Sequence, residues 1–117
     1  MTDEITIGQR FCLRLFSVDF PGREDFWRQA REAMILEHHE GETPWMHFDV
    51  DASLKAREVR TGVPVYGRAL DEDGVPIFVR LYVKEGFLEE LEISREDGRP
   101  VRHLPDPETF VVQASRP

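Results

Sequence analysis

The sequence predicts an α+β fold, with two N-terminal helices packed on one face of an antiparallel meander sheet of four or five strands. Residues 63–93 contain segments with alternating apolar side chains, joined by glycine-containing turns. The N-terminal third instead places apolar residues at helical spacing. A chain of 117 residues has room for one modest core. We therefore expect a single domain over 1–117, with helices within about 6–39 and the sheet within about 45–113.

The N-terminal segment, residues 6–17, fits two patterns. Alternate apolar residues from Phe11 to Leu15 would suit a strand. The same residues, together with Ile7, also recur about every fourth position. Thr6, followed three residues later by a glutamine, fits the capping box that begins many helices. We favour a helix.

Residues 23–39 show the clearest helical spacing. Phe26, Ala30 and Met34 recur at intervals of four, and acidic residues occupy the first turn, where the helix dipole favours them. Gly41 is expected to stop the helix.

The strands follow. Residues 45–51 alternate and predict a half-buried strand, and residues 109–113 predict a short edge strand. Between 63–71 and 75–83, the loop Glu72-Asp73-Gly74 suits a type I turn closed by a left-handed glycine. That loop places Gly67 opposite Val79.

The second hairpin is expected to turn at Glu85-Gly86-Phe87, with Lys84 opposite Leu88. This register places Arg80 across from Glu92. A slip by one residue would bury carboxylates at a cost of about several kcal/mol each, so it is disfavoured. The polar face of the sheet is then the best candidate for binding, because aromatic residues and arginine are enriched at interface hot spots. Its predicted residues are Tyr66, Arg68, Phe78, Arg80, Tyr82, Glu90 and Glu92.

Several sequence segments resemble those of a group of small bacterial proteins of unknown function. They are Val18-Asp19-Phe20-Pro21-Gly22, Asp73-Gly74-Val75-Pro76, Phe87-Leu88-Glu89-Glu90-Leu91-Glu92-Ile93, Glu96-Asp97-Gly98 and Leu104-Pro105-Asp106-Pro107-Glu108. These segments are turns and strands. The resemblance therefore implies a shared fold and brings no known activity.

Charge narrows the range of partners. The chain has 23 acidic and 15 basic side chains and a net charge of -8. Such a surface repels nucleic acids and anionic membranes. The acidic charge fits either simple solubility, which is the commoner reason for it, or a basic protein partner. The single cysteine, Cys12, lies among apolar residues and is expected to be a buried hydrophobe rather than a nucleophile. No apolar run is long enough to cross a bilayer, and a cytoplasmic location is expected.

The histidines suggest an alternative function, an enzyme rather than a protein-binding module. His38, His39, His47 and Asp49 are candidate metal ligands, and they would serve a small metal-dependent or acid–base enzyme. Their spacing matches no established ligand motif, because adjacent histidines on a helix point about 100° apart. Solvation of a helix end is the simpler interpretation. No cofactor is expected.

Carboxylates close together in sequence, such as Asp71 with Asp73, are expected to be solvated in turns, which disfavours an acid–base site. The leading hypothesis is therefore a non-enzymatic protein-binding module, for example an immunity or inhibitor-like protein. A further alternative is a small-ligand pocket between helix and sheet, near Trp27 and Trp45.

Overall fold

The structure is a computed structural model that describes residues 6–40, 43–56 and 61–115, without the side chains of residues 39, 40, 43 and 44. Its elements are α1 (Ile7–Leu15), α2 (Arg23–Glu32), β1 (Met34–Glu40), β2 (Thr43–Asp49), β3 (Gly62–Leu70), β4 (Pro76–Lys84), β5 (Phe87–Arg95) and β6 (Val111–Ala114), with 3₁₀ turns at Ala52–Leu54 and Pro107–Thr109.

The α+β class and the antiparallel sheet are confirmed, but the sheet has six strands rather than four or five. Its order is β1-β2-β5-β4-β3-β6. Strands β3 to β5 form the expected meander. The whole sheet is not a meander, since β2 pairs with β5 and β6 pairs with β3.

Helix α1 confirms the helical interpretation of its segment. The Thr6 hydroxyl accepts the backbone N–H of Gln9 at 3.1 Å, and the Gln9 side chain accepts that of Thr6 at 3.0 Å. One side of the helix is fully buried and includes Phe11 and Cys12. Burial raises the pKa of the Cys12 thiol to about 12, which leaves it protonated and unreactive.

The prediction of a helix over 23–39 is wrong in its second half. Helix α2 ends at Glu32, Ala33 is extended with φ -68° and ψ 147°, and the chain continues as β1. Met34, expected in the buried stripe, is 64% exposed. Pairing with β2 over seven residues outweighs the helical spacing here, so His38 and His39 belong to a strand. Gly41, the expected stop, lies outside the described residues.

Gln29 ties helix α2 to the sheet. It is completely buried, and its amide donates to the carbonyl oxygens of Leu54 at 2.9 Å and Gly86 at 2.8 Å. Its own oxygen accepts the N–H of Leu88 at 2.8 Å. A polar side chain inside the core is thus fully satisfied by three backbone groups.

The first hairpin of the meander is confirmed. Gly67 pairs with Val79, and Gly74 has the left-handed φ of 84°. A Cβ added to Gly67 would lie 2.9 Å from Val79 Cγ1 and 3.3 Å from Phe110 Cβ. The sheet therefore requires a residue without a side chain at this position.

The second hairpin has the predicted pairs but a different turn. Arg80 pairs with Glu92, yet Lys84 pairs with Phe87 and not with Leu88. The loop contains only Glu85 and Gly86, with φ of 52° and 85°, as a type I′ turn requires. The register shifts between residues 82 and 83, so that an extra residue on β5 restores the predicted pairs.

Both helices pack on the aliphatic face of the sheet. Phe11 of α1 meets Phe110 edge to face, with ring centroids 5.3 Å apart, and Gly8 approaches Met46 of β2. Within the described ranges, no helix has the length and apolarity needed to cross a membrane. The fully buried strand residues of this face are Met46, Val65, Ile77, Val79, Leu81 and Leu91.

Asp71 is buried, contrary to the expectation that it is solvated. It is 4% exposed, and its carboxylate lies 3.0 Å from the guanidinium of Arg95. The same guanidinium contacts Asp73 at 3.0 Å and Asp97 at 2.6 Å. Three carboxylates around one buried cation thus hold the end of the sheet together.

Candidate functional site

The side of the sheet opposite the helices, called the open face below, collects most of the candidate functional residues. Strand register alone assigns residues to it, because successive side chains alternate between faces. All seven residues of the predicted binding set fall on this face. Its outward residues are Met34, Leu36 and His38 of β1, Trp45, His47 and Asp49 of β2, Tyr66 and Arg68 of β3, Phe78, Arg80 and Tyr82 of β4, Glu90, Glu92 and Ser94 of β5, and Val111 and Gln113 of β6.

One row of paired residues crosses the entire open face. Each member is the cross-strand partner of the next, so their side chains stand beside one another. Aromatic, acidic, basic and amide groups follow in turn along it. The row consists of His38, Trp45, Glu92, Arg80, Tyr66 and Gln113.

Arg80 is held at the centre of this row. Its Nη1 donates to Ser94 Oγ at 2.9 Å and lies 3.7 Å from Glu92 Oε1. Its guanidinium carbon lies 4.8 Å from the centroid of the Phe78 ring. A guanidinium fixed on three sides loses little freedom when a partner binds.

The two tyrosines are also placed by polar contacts. The Tyr66 hydroxyl donates to Gln113 Oε1 at 3.0 Å. Burial is the main cause that raises the pKa of Tyr82, and the neighbouring carboxylates of Glu92 and Glu90 add to the effect. The Tyr82 phenol therefore stays protonated at neutral pH and can donate a hydrogen bond.

An aromatic cluster lies at the β1–β2 end of the row. The His38 and Trp45 rings stack with centroids 4.3 Å apart and an angle of 20° between planes. His47 meets Trp45 edge to face at 4.6 Å and lies 5.3 Å from His38. This Trp45 cluster is a second aromatic surface beside the predicted binding residues.

Three of the four candidate metal ligands lie at this β1–β2 end of the sheet. His38, His47 and Asp49 lie on the open face, whereas the His39 side chain is outside the description. Among the described residues, no three histidine, cysteine or acidic side chains are grouped closely enough to hold a metal ion. A metal-dependent or acid–base enzyme therefore stays an untested alternative function.

The alternative of a single small-ligand pocket near both Trp27 and Trp45 does not fit the structure, because the two rings lie on opposite sides of the sheet. Trp27 packs among core residues, 5.6 Å from the Phe16 ring, with the Arg31 guanidinium 5.6 Å from its own centroid. Trp45 belongs to the open face. A ligand could not contact both.

Large apolar side chains are exposed at the two outer strands of the open face. Met34 and Leu36 on β1 are 64% and 48% exposed, and Val111 on β6 is 72% exposed. Between them, most residues of the face are half-buried, whereas others, such as His47 and Arg68, are exposed. The face thus combines a polar and aromatic centre with apolar margins.

A groove opens where β2 and β5 separate. The β2–β5 ladder has its last pair at Trp45 and Glu92, although β5 continues to Arg95. Beyond this pair lies a groove of about 600 Å³. Its lining residues are Trp45, Glu90, Glu92, Ile93, Ser94, Arg95, Gly98, Arg99 and Pro100.

The sequence did not predict that Trp45 and His47 adjoin the binding set. The alternation over 45–51 did place both on one side of a strand, which was the available signal. What it lacked was the strand that β2 pairs with, since pairing with β5 joins segments more than 40 residues apart.

A family model described as Domain of unknown function (DUF6984) matches residues 9–105. The chain belongs to this family, which confirms the expected membership of an uncharacterised group. No curated protein and no solved structure matches the chain.

Proposed function

We propose that this member of the DUF6984 family is a non-enzymatic protein-binding module, and that its open face binds a basic protein. The observation that carries the proposal is the unbroken row from His38 to Gln113 across six strands. A surface built on strands and held by internal contacts is largely preorganised. Binding to it therefore costs little conformational entropy.

The chemical make-up of the face supports the proposal. Tryptophan, tyrosine and arginine are the side chains most often found at interface hot spots, and Trp45, Tyr66 and Arg80 stand in one row. The exposed Met34 and Leu36 add apolar area that a partner would bury. Such a combination of aromatic, charged and apolar side chains is typical of protein–protein interfaces.

The dimensions of the molecule are also suitable. It measures 42 × 41 × 22 Å, so the sheet presents a broad side. A standard interface covers about 800 Å² on each partner. The open face is wide enough for such an interface without involving the helices.

Charge favours a basic partner. The net charge of -8 would speed association with a cationic protein and disfavour acidic competitors. Asp49, Glu90 and Glu92 place carboxylates on the open face near the Trp45 cluster. An inhibitor-like protein that covers a basic surface, such as an immunity protein, is one form this function would take.

The test is an affinity capture followed by binding measurements with the purified partner. Tyr82→Ala and Arg80→Ala each remove a central side chain of the open face. Each is expected to raise the dissociation constant by at least about tenfold. Arg28→Ala removes an exposed arginine from helix α2 on the other side and should leave affinity unchanged.

Undiminished affinity in both open-face variants would place the interface elsewhere on the protein. Equal losses in Arg28→Ala and Arg80→Ala would mean that the loss of affinity is not specific to the open face, which would contradict the proposal. Circular dichroism spectra of all three variants would establish that each is folded before affinities are compared.

A further inference from the structure

We infer that the groove beside Trp45 is an anchor site for an arginine side chain of the partner. The inference rests on the proposed function and deepens it, since it names the chemical group that the open face would recognise. It follows from the position of one aromatic ring and from the charges around it.

Trp45 supplies an aromatic wall. Its ring is stacked on His38 with centroids 4.3 Å apart and lies 4.6 Å from the His47 ring at 69° between planes, so neighbours on its own hairpin fix its orientation. Trp45 is also one of the residues that line the groove. An indole is the best aromatic surface for a cation, and a planar guanidinium stacks on it well.

The second wall of the groove is formed by strand β5. Glu90, Glu92 and Ser94 alternate along it, so their side chains project on the same side. Gly98, Arg99 and Pro100 also line the groove. Two carboxylates beside an indole create a site that suits a cation with a flat face and several N–H donors.

The balance of charge within the groove leaves room for another cation. Arg95 also lines it, but its guanidinium is bound to Asp71, Asp73 and Asp97. Glu92 lies 3.7 Å from the Arg80 guanidinium and beside the Tyr82 hydroxyl, and it forms no short ion pair among the described residues. Within the described part of the chain, Glu90 forms no ion pair.

Arginine fits these features better than lysine. A guanidinium can stack on Trp45 while its edge donates two hydrogen bonds to a carboxylate, whereas an ammonium is a compact and strongly hydrated charge. The Arg95 guanidinium is the main cause that lowers the pKa of Asp97, and the charge of Arg99, on the groove lining, adds to the effect, so part of the Arg99 charge is balanced there.

A peptide titration followed by NMR tests the inference. The probe is acetyl-Gly-Arg-Gly-amide, and the control is the same peptide with citrulline, which has the shape of arginine without its charge. The chain has two tryptophans, and Trp27 lies on the helix side. The arginine peptide should shift the indole N–H signal of Trp45 and leave that of Trp27 in place.

Three variants locate the site. Trp45→Leu and Glu90→Gln should each weaken binding of the arginine peptide by about threefold to tenfold. Glu89→Gln removes an exposed carboxylate from the same strand, outside the groove lining, and should have no effect. Glu90→Gln changes few atoms, so it serves as the test if Trp45→Leu fails to fold.

The inference is overturned if the citrulline peptide binds as well as the arginine peptide, if neither binds, or if Glu89→Gln and Glu90→Gln weaken binding equally. Preference for the corresponding lysine peptide would also overturn the choice of arginine. If the arginine peptide does not bind the groove while Tyr82→Ala still weakens binding of the purified partner, the proposed function stands without this anchor. If instead Tyr82→Ala and Arg80→Ala leave partner binding unchanged, the proposed function is wrong, and the peptide titration still decides whether the groove binds arginine.

Discussion

The guanidinium of Arg95 lies 3.0 Å from the carboxylate of Asp71, and both side chains are almost completely buried. The same carboxylate accepts backbone N–H groups from Arg102 at 2.7 Å and His103 at 2.9 Å. One acidic side chain thereby connects the β3–β4 turn, the end of β5 and the segment that leads to β6. Stability of the sheet should depend on it.

The first prediction concerns the stability of the protein when the Asp71 carboxylate is replaced. Asp71→Asn should lower the free energy of unfolding by about 3 kcal/mol, because it leaves a buried cation with one fewer partner. Urea unfolding measures the change. Asp106→Asn, which removes a half-exposed carboxylate from an ion pair with Arg10, should cost much less. Equal losses in the two variants would contradict the account.

Acid should destabilise the protein through the same group. Burial would raise the pKa of Asp71, but N–H donors, with the Arg95 guanidinium, lower it from 3.8 to about 2. A carboxyl whose pKa is lower when folded stabilises the protein fully above its unfolded value. That contribution is lost as pH falls from about 4 to about 2.

Melting temperatures between pH 7 and pH 2 would measure this loss. Asp71→Asn cannot titrate at this position, so its melting temperature should fall less steeply below about pH 4. Parallel curves for the variant and the unchanged protein would show that acid acts through other carboxylates.

Gln29 should be essential for docking helix α2. Gln29→Leu removes the partners of Leu88 N–H and of two carbonyl oxygens in one step. We expect a loss of about 2–4 kcal/mol in the free energy of unfolding, because a buried unsatisfied donor costs about 1–3 kcal/mol. Arg28→Ala on the exposed side of the helix is the control. A loss no larger than that of the control would contradict this role.

The β4–β5 turn offers a stabilising substitution. Glu85 has a left-handed φ of 52°, a conformation that asparagine tolerates better than glutamate. Glu85→Asn should therefore raise the melting temperature by a few degrees. Gly86→Ala should lower it, since the new Cβ would lie 2.5 Å from the Ala56 carbonyl oxygen. If Glu85→Asn were destabilising, the type I′ assignment would be wrong.

Local sequence signals predicted the centre of the sheet well. Arg80 opposite Glu92 followed from alternation and from two short turns, and the structure has that pair. The turn itself was harder to predict. A two-residue turn followed by a bulge and a three-residue turn without one give the same register farther along the strands, so the pattern could not separate them.

Non-local contacts account for most of what the sequence could not predict. Met34 continues the helical spacing of α2, and only pairing between β1 and β2 makes the segment a strand. Asp71 looked like a solvated turn residue because its partner, Arg95, lies 24 positions away. The placement of Trp45 beside Glu92 likewise required knowledge of which strands pair.

The most direct test of the central claim is a hydroxyl-radical footprint of the complex with the purified partner. Trp45, Tyr66 and Tyr82 report on the open face, and Trp27 reports on the helix side. The account predicts that oxidation of the three open-face residues slows by at least about threefold in the complex, while oxidation of Trp27 is unchanged. Protection of Trp27 with no change at Trp45, Tyr66 and Tyr82 would contradict it.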